Sequence, residues 1–595
     1  MSHEASSEKK GDSDLRSASG TGMASGQALG EKAAVPRSDE STDTASTVTG
    51  GVDRDDDGRD GDGGAVEQVE SHASTTIPYS KARCIALVAT VTGAAFNNTF
   101  SVQAVVIILP TIGKELDIPD SRLQWIVSAY SLAFGCFLLL WGRIADLYGK
   151  KRIFVWGTVG VAVATIITPF VPNEIAFDLL RGLAGFGAAA NVPTALGILG
   201  VTFPPGKAKN FAFAAYGAGA PLGSILGNIL AGFVASYASW KWVFGVMAIL
   251  SGIAAVVGVW VIPSPTATLH GEGVKAKNTI DWVGAVLVTL GLFGLLFALT
   301  EGNVVGWSTP WIPVVIVLSV VLMVLFVLWQ RRLENRGRRA PLMKVSMFHS
   351  KQFSAAMLIM ALSFSSFNGF MIYATYFYQS YQGLGALQTT LRFIPTGVVG
   401  VATSFVVAHL LHRVPTWILL LVGSLCIALC NLLFAVPIPS TTSYWAYGLE
   451  AMSLSVIGVD TAWPSLTLFT SQALPKSDQA LGGALVNAVG QVGRAIGLAI
   501  ATAIQTAVMA SARGVTVEQV GPVLPWDEPS LQGLRTASWF NFAVGALPVI
   551  VAIVAFRGSG VLGSAKAKEP AVAPQQRRRQ RDEEAAVVAE VAEAK

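Results

Sequence analysis

Gly142-Arg143-Ile144-Ala145-Asp146-Leu147-Tyr148-Gly149-Lys150-Lys151-Arg152 separates two long apolar runs, and its reading decides the fold. Gly142 and Gly149 let two helix ends and a tight turn approach closely. Asp146 offers a negative charge suited to a nearby helix N-terminus. Lys150, Lys151 and Arg152 form a basic step that holds a short loop on the inner side of a membrane. A turn that merely obeyed the charge rule would need only the basic residues, so the added glycines and carboxylate call for a more specific explanation.

Outward from this segment, the chain is that of a polytopic membrane protein. Of its 595 residues, 52% are hydrophobic and only 13% are charged, with 60 Gly, 27 Pro and 15 Trp. Soluble proteins carry about a quarter of charged residues, whereas spanning helices tolerate Gly and Pro and place Trp at the interfaces. From Cys84 onward about fourteen apolar stretches approach the roughly 20 residues that a helix needs to cross a bilayer. The preceding residues, 1–80, are rich in Ser, Gly, Asp and Glu, include the acidic run Asp53–Asp62, and are expected to be a disordered tail. The apolar run after Cys84 follows this long polar stretch, so it should act as an uncleaved first span.

Loop charges give the orientation. With the N-terminus inside, the inner loops collect most Lys and Arg, above all the segment from Arg331 to Lys351, and an even number of spans returns the C-terminus to the cytoplasm. The net charge of +4 therefore implies no nucleic-acid partner. Cys84, Cys136, Cys426 and Cys430 lie in or beside apolar runs and suggest packing rather than disulfides. The six His are scattered, with no metal-ligand motif and no Gly-rich phosphate loop, so an enzyme, a metal centre and a catalytic set are not expected.

The Gly142–Arg152 segment closely resembles the loop between spans two and three of the major facilitator superfamily. Span four, Asp178-Leu179-Leu180-Arg181-Gly182-Leu183-Ala184-Gly185, resembles the motif of its proton-coupled members, with Ala184 where the family usually has Gln. Within that span Arg181 needs a partner, and Asp178 lies three residues before it on the same face. In span five, Gly219, Gly223 and Gly227 recur every four residues around Pro221, a smooth stripe for close helix packing that resembles the antiporter motif. Leu123–Tyr130, Trp240–Phe244, Gly458–Pro464 and Gly482–Asn487 are similar to the fourteen-span drug:proton antiporter branch and its fungal aminotriazole-resistance type.

This resemblance implies an all-α membrane protein with the major facilitator fold, two six-helix halves plus two extra central spans, fourteen transmembrane helices in all. The expected divisions are a cytoplasmic N-tail at 1–80, a first half at 81–262, two linker spans and a basic cytoplasmic loop at 263–352, a second half at 353–556, and a cytoplasmic C-tail at 557–595. Asp146 is expected near the inner end of span thirteen, around Asp478 to Ala480, where it would latch one state. The family often places an Asp nine residues before the Pro that is Pro110 here, and this chain has Ser101 instead. The proton-coupling candidates are therefore Asp178, Arg181, Glu450, Asp460 and Arg494; the alternatives are a structural Asp178–Arg181 pair, a Glu450 that simply reaches water, and an Arg494 that neutralises Glu450 or Asp460 or attracts an anionic substrate.

Polar groups expected along the substrate path are Asn97, Gln103, Asn191, Asn487 and Gln491, with Tyr216 and Trp463 among the aromatics, although packing would account for many of them. The function expected from the resemblance is proton-coupled efflux of small organic compounds, such as drugs, toxins or secondary metabolites, by alternating access. One alternative is carriage of a small polar solute such as ammonium, borate or a nutrient; another is a non-transporting membrane sensor. The expected partners are a small-molecule substrate, protons and the lipid bilayer. No cofactor is expected beyond the proton gradient, and the protein should work as a monomer. The plasma membrane is the expected location, with the vacuolar membrane as the alternative.

Overall fold

Long apolar runs in lipid must satisfy every backbone group internally, and this chain does so with helices alone among the described residues. The computed structural model describes residues 79–118, 123, 125–263, 280–336, 341–475 and 478–561. The expected disordered tail up to 78, most of the C-tail and the loop 264–279 lie outside them. The described residues all belong to one compact unit. We number the helices α1 Lys81–Glu115, α2 Trp125–Tyr148, α3 Lys150–Ile167, α4 Glu174–Thr202, α5 Lys207–Tyr237, α6 Lys241–Val261 and α7 Trp282–Val305. They continue with α8 Trp311–Arg336, α9 Lys351–Thr375, α10 Ala386–Leu410, α11 Thr416–Ala435, α12 Tyr444–Ala473, α13 Gln479–Arg513 and α14 Glu528–Phe556.

Side chains set several helix starts: Ser80, Asn173, Asp281, Ser350 and Asp527 each cap the first turn by accepting a backbone N–H. Thirteen of the helices are long and apolar enough to cross a membrane. The other, α12, is 30 residues long and more polar, with Glu450, Asp460 and a series of hydroxyls. Those hydroxyls are accommodated within the helix: Ser453, Ser465, Thr467 and Thr470 each donate to a carbonyl one turn back.

The helix pairings repeat. In the first set of six, α1 packs on α5 and α6, α3 on α4 and α6, and α2 on α4. In the last six, α9 packs on α13 and α14, α11 on α12 and α14, and α10 on α12, which is the same pattern shifted by eight helices. Matching glycine crossings recur as well. Gly157 of α3 and Gly187 of α4 face each other's carbonyls, and so do Gly423 of α11 and Gly458 of α12. A Cβ at any of these would fall at 2.8–3.0 Å from the opposing oxygen, so these helices cross with backbone against backbone.

The two sets meet along α2 with α13 and α5 with α10, a symmetric pair of seams, and α4 also packs on α13 and α12 on α5. Helices α7 and α8 pack on each other, and α7 alone reaches α2 and α13. Asp281 joins the two, accepting from Trp329 Nε1 at 3.0 Å and Gln330 Nε2 at 2.6 Å. Along α8, Val314, Val317, Leu318, Val321, Val324 and Leu328 are exposed, a continuous apolar surface suited to lipid. Glu301, near the end of α7, is a buried carboxylate in this largely apolar helix.

Candidate functional site

The α2–α3 loop ties the two sets of helices together. Gly149 turns the chain between α2 and α3 with φ of 102°, a conformation that favours glycine. Asp146 Oδ1 accepts from the backbone N–H of Ala480 at 3.2 Å and Oδ2 from Leu481 at 2.9 Å, both in the first turn of α13. Lys150 Nζ lies 2.7 Å from the same carboxylate. A carboxylate seated on exposed helical N–H groups gains from both the charge-assisted bonds and the helix dipole. Beside it, Arg143 Nη1 is 3.3 Å and Lys344 Nζ 3.5 Å from the two oxygens of Asp478.

Gly142 allows this approach, because a Cβ there would come within 2.6 Å of Ala484 Cβ. Gly483 has the matching role opposite Leu196 of α4. Lys150 pairs with Asp146, while Lys151 is half-buried and Arg152 exposed. The sequence reading named Arg143 within the loop and Asp478 at the expected destination of Asp146 but paired neither with the other nor with Lys344. They are charges flanking an apolar run, and only the fold brings them together.

Span four presents the second feature. Arg181 is 1% exposed, donates from Nε to Ile126 O and from Nη1 to Ser101 Oγ, both at 3.0 Å, and lies 4.7 Å from the Tyr130 ring centre. No ion pair joins it to Asp178, the partner suggested by helical spacing. Asp178 Oδ1 and Arg181 Nη2 are both buried without a hydrogen-bond partner among the described residues. The physical reason is competition: α1 and α2 offer a hydroxyl, a carbonyl and a ring face directly around the guanidinium.

From Tyr130 a polar cluster continues into the first set of helices. Tyr130 Oη donates to Asn98 Oδ1 at 2.5 Å, Asn97 Nδ2 to Ser251 Oγ at 2.5 Å, and Thr158 Oγ1 to Asn191 Oδ1 at 3.2 Å. These residues line one small cavity between α1, α2, α3, α4 and α6. Gln103 lies apart from it, donating to Ser224 Oγ of α5 at 3.1 Å. Thr158 and Ser251 were missed from sequence; their only signal is a small polar residue in an apolar run.

Across the α5 seam, Tyr216 and Trp463 stack with ring centres 5.7 Å apart. Higher on α5, Pro221 faces Gly400 of α10, and Asp460 of α12 faces the same glycine. A Cβ on Gly400 would lie 2.7 Å from Asp460 Oδ2 and 2.9 Å from Pro221 Cβ, and that oxygen has no hydrogen-bond partner. Glu450 is exposed near the start of α12. Gly219, Gly223 and Gly227 instead lie against the α1 backbone, at Thr92 O, Phe96 O and Phe100 O respectively, so the stripe is a packing surface.

Arg494 of α13 lies 4.6 Å over the Phe364 ring and donates to Gln491 Oε1 at 3.4 Å. It forms no ion pair with Glu450 or Asp460. Asn487 donates to Gly483 O of its own helix at 2.8 Å. Outside the spans, Trp240 and Lys241 hold the Glu115 carboxyl below its usual range, the Trp240 indole N–H being the larger influence.

The Major Facilitator Superfamily profile matches residues 91–498, more than half of the chain. The chain belongs to the major facilitator superfamily. It is a multi-pass membrane transporter of that family. Among relatives, the low affinity ammonium transporter of Saccharomyces cerevisiae is 31% identical over 62% of this chain and 71% of its own length. The efflux pump terJ of Aspergillus terreus is 28% identical over 69% of this chain and 79% of its own. The human organic anion transporter MFSD10 (TETRAN) superposes with a TM-score of 0.56 at 14% identity, covering 79% of this facilitator and 99% of that chain, a likeness of fold alone.

Proposed function

We propose that this facilitator exports small organic compounds from the cytoplasm in exchange for protons, by alternating access. The observation that carries the reading is Asp460, whose Oδ2 is buried and unpartnered beside Gly400 and Pro221 at the α5–α10 seam. A carboxylate there is costly when charged and tolerable when neutral, so its protonation would bias the opening of that seam. The Asp146 contact with α13 would hold the cytoplasmic end closed until the seam rearranges. Residues 81–262 and 353–556 are then the rocking halves, with 263–352 beside them. Similarity to the efflux pump terJ supports export as the direction of transport.

In this account the protein works as a monomer in the plasma membrane with both termini in the cytoplasm, uses no cofactor, and draws on the proton gradient. Asp178 and Arg181 are further coupling candidates. The test is purified protein in proteoliposomes with a panel of labelled organic compounds. Wild type should accumulate cargo when a pH gradient is imposed, and Asp460→Asn should exchange cargo without responding to the gradient. A gradient response retained in Asp460→Asn would remove Asp460 from the mechanism.

A second reading has its own support. The cavity at Asn97, Asn98, Asn191 and Ser251 is small and lined by neutral polar groups, and a relative is named as an ammonium transporter. On this reading the cargo is a small polar solute. Uptake of labelled methylammonium by the same vesicles distinguishes it, since organic-cargo export predicts none.

A further inference from the structure

We propose that Arg494, with Phe364 and Gln491, forms an anchoring site for the anionic group of an organic cargo. The proposal rests on the reading of this chain as a carrier of small organic compounds and names a class within it, planar organic carboxylates. A guanidinium serving structure alone normally has its donors satisfied by carbonyls or a carboxylate. Among the described residues Arg494 has one long hydrogen bond, 3.4 Å to Gln491 Oε1, and its buried Nε has no partner. No carboxylate lies within ion-pairing distance of it among the described residues. An unneutralised guanidinium inside a membrane bundle is expensive, and such groups mark substrate pathways.

Its position suits a site that opens and closes. Arg494 stands about 20 Å along α13 from Gln479, near the helix middle. Gln491, one turn earlier, reaches the α2 seam, where a Cβ on Gly135 would lie 3.6 Å from Gln491 Cβ. Both residues are half-buried, and the latch at Asp146 sits at the other end of the same seam. Separation of α2 from α13 would thus present the guanidinium fork to the space between the halves. Phe364 backs one face of the guanidinium, with Phe367 at 6.4 Å in an edge-on arrangement, an apolar ledge for a flat ring system. The planar fork matches a carboxylate better than a point charge would.

Equilibrium binding to the purified full-length chain in detergent tests this, with benzoate and 1-naphthoate against benzamide and 1-naphthamide as neutral counterparts. Wild type should bind the carboxylates about tenfold more tightly than the amides. Arg494→Gln should reduce that ratio to about one without weakening the amides. Arg494→Lys, which keeps a charge but loses the fork, should retain an intermediate ratio, and it serves as the second variant if Arg494→Gln fails to fold. An equal affinity of wild type for acids and amides would overturn the proposal, as would an unchanged ratio in the folded variants. Because binding is measured without a gradient, failure of proton-driven export would leave this result standing, and the converse holds.

Discussion

Ser101 Oγ accepts a hydrogen bond from Arg181 Nη1 at 3.0 Å, so the buried guanidinium of α4 meets α1 through a neutral hydroxyl. The position where related facilitators often carry a carboxylate here supplies an acceptor and no charge. That leaves carboxylates on other helices: among the described residues Asp178, Glu301 and Asp460 each have one buried oxygen without a hydrogen-bond partner. Ser101→Ala should leave a second donor of Arg181 unsatisfied and destabilise the protein by about 1–3 kcal/mol. A melting temperature of purified Ser101→Ala equal to that of wild type would contradict this contact.

The contact between Asp146 and the first turn of α13 predicts a shift in conformation when its charge is removed. Asp146→Asn should weaken the closed state by about 1–2 kcal/mol, or about tenfold in population. Ser471, which is buried near Gly200 and Gln479, provides a reporter when changed to Cys in a background without the four native cysteines. Maleimide labelling of Ser471→Cys should rise several-fold in the Asp146→Asn protein. Equal labelling in both proteins would show that the contact does not hold this end closed.

One glycine of α5 and one of α3 predict opposite outcomes for the same conservative substitution. A Cβ on Gly223 would collide with the Phe96 carbonyl of α1, so Gly223→Ala should cost about 1–3 kcal/mol. Gly160 of α3 has open space around its Cβ position, so Gly160→Ala should be neutral or stabilising by up to about 1 kcal/mol. Thermal unfolding of the two variants in the same detergent checks the contrast.

At the end of α13, Arg513 Nη2 lies 2.5 Å from Asp527 Oδ2, and this contact is the main cause of an Asp527 carboxyl held below its ordinary value of 3.8. A carboxylate lowered in the folded state contributes stability above its unfolded pKa, and that contribution is lost as pH falls through the lower folded value. Asp527→Asn should therefore melt earlier than wild type near pH 6, and the difference should shrink as pH falls through the lowered folded value and vanish in strong acid. Parallel melting curves across pH would test it, and a gap that persists at the acid end would contradict the assignment.

Local patterns in the sequence led to the right neighbourhood where a feature is satisfied by regular geometry. For Asp146 the residues alone suggested a nearby helix N-terminus, the family resemblance pointed to span thirteen, and the contact falls on Ala480 and Leu481 there. The Gly219–Gly227 stripe was legible as packing because its four-residue period defines one helix face. Arg181 shows the limit. Spacing along α4 points to Asp178, whereas the actual partners come from α1 and α2, 80 and 55 residues away. The Tyr216–Trp463 stack and the Asp460–Gly400–Pro221 crossing likewise join helices whose proximity no single segment encodes.

The central claim is exchange of cargo for protons, and the most direct measurement is proton movement driven by cargo alone. Wild-type proteoliposomes carrying a pH-sensitive dye in the lumen would be loaded with a transported compound and diluted into cargo-free buffer at equal pH, with the membrane potential clamped. Exchange predicts that protons enter as cargo leaves, acidifying the lumen, and that Asp460→Asn releases cargo without this change. Cargo leaving wild-type vesicles at undiminished rate with no acidification would contradict it.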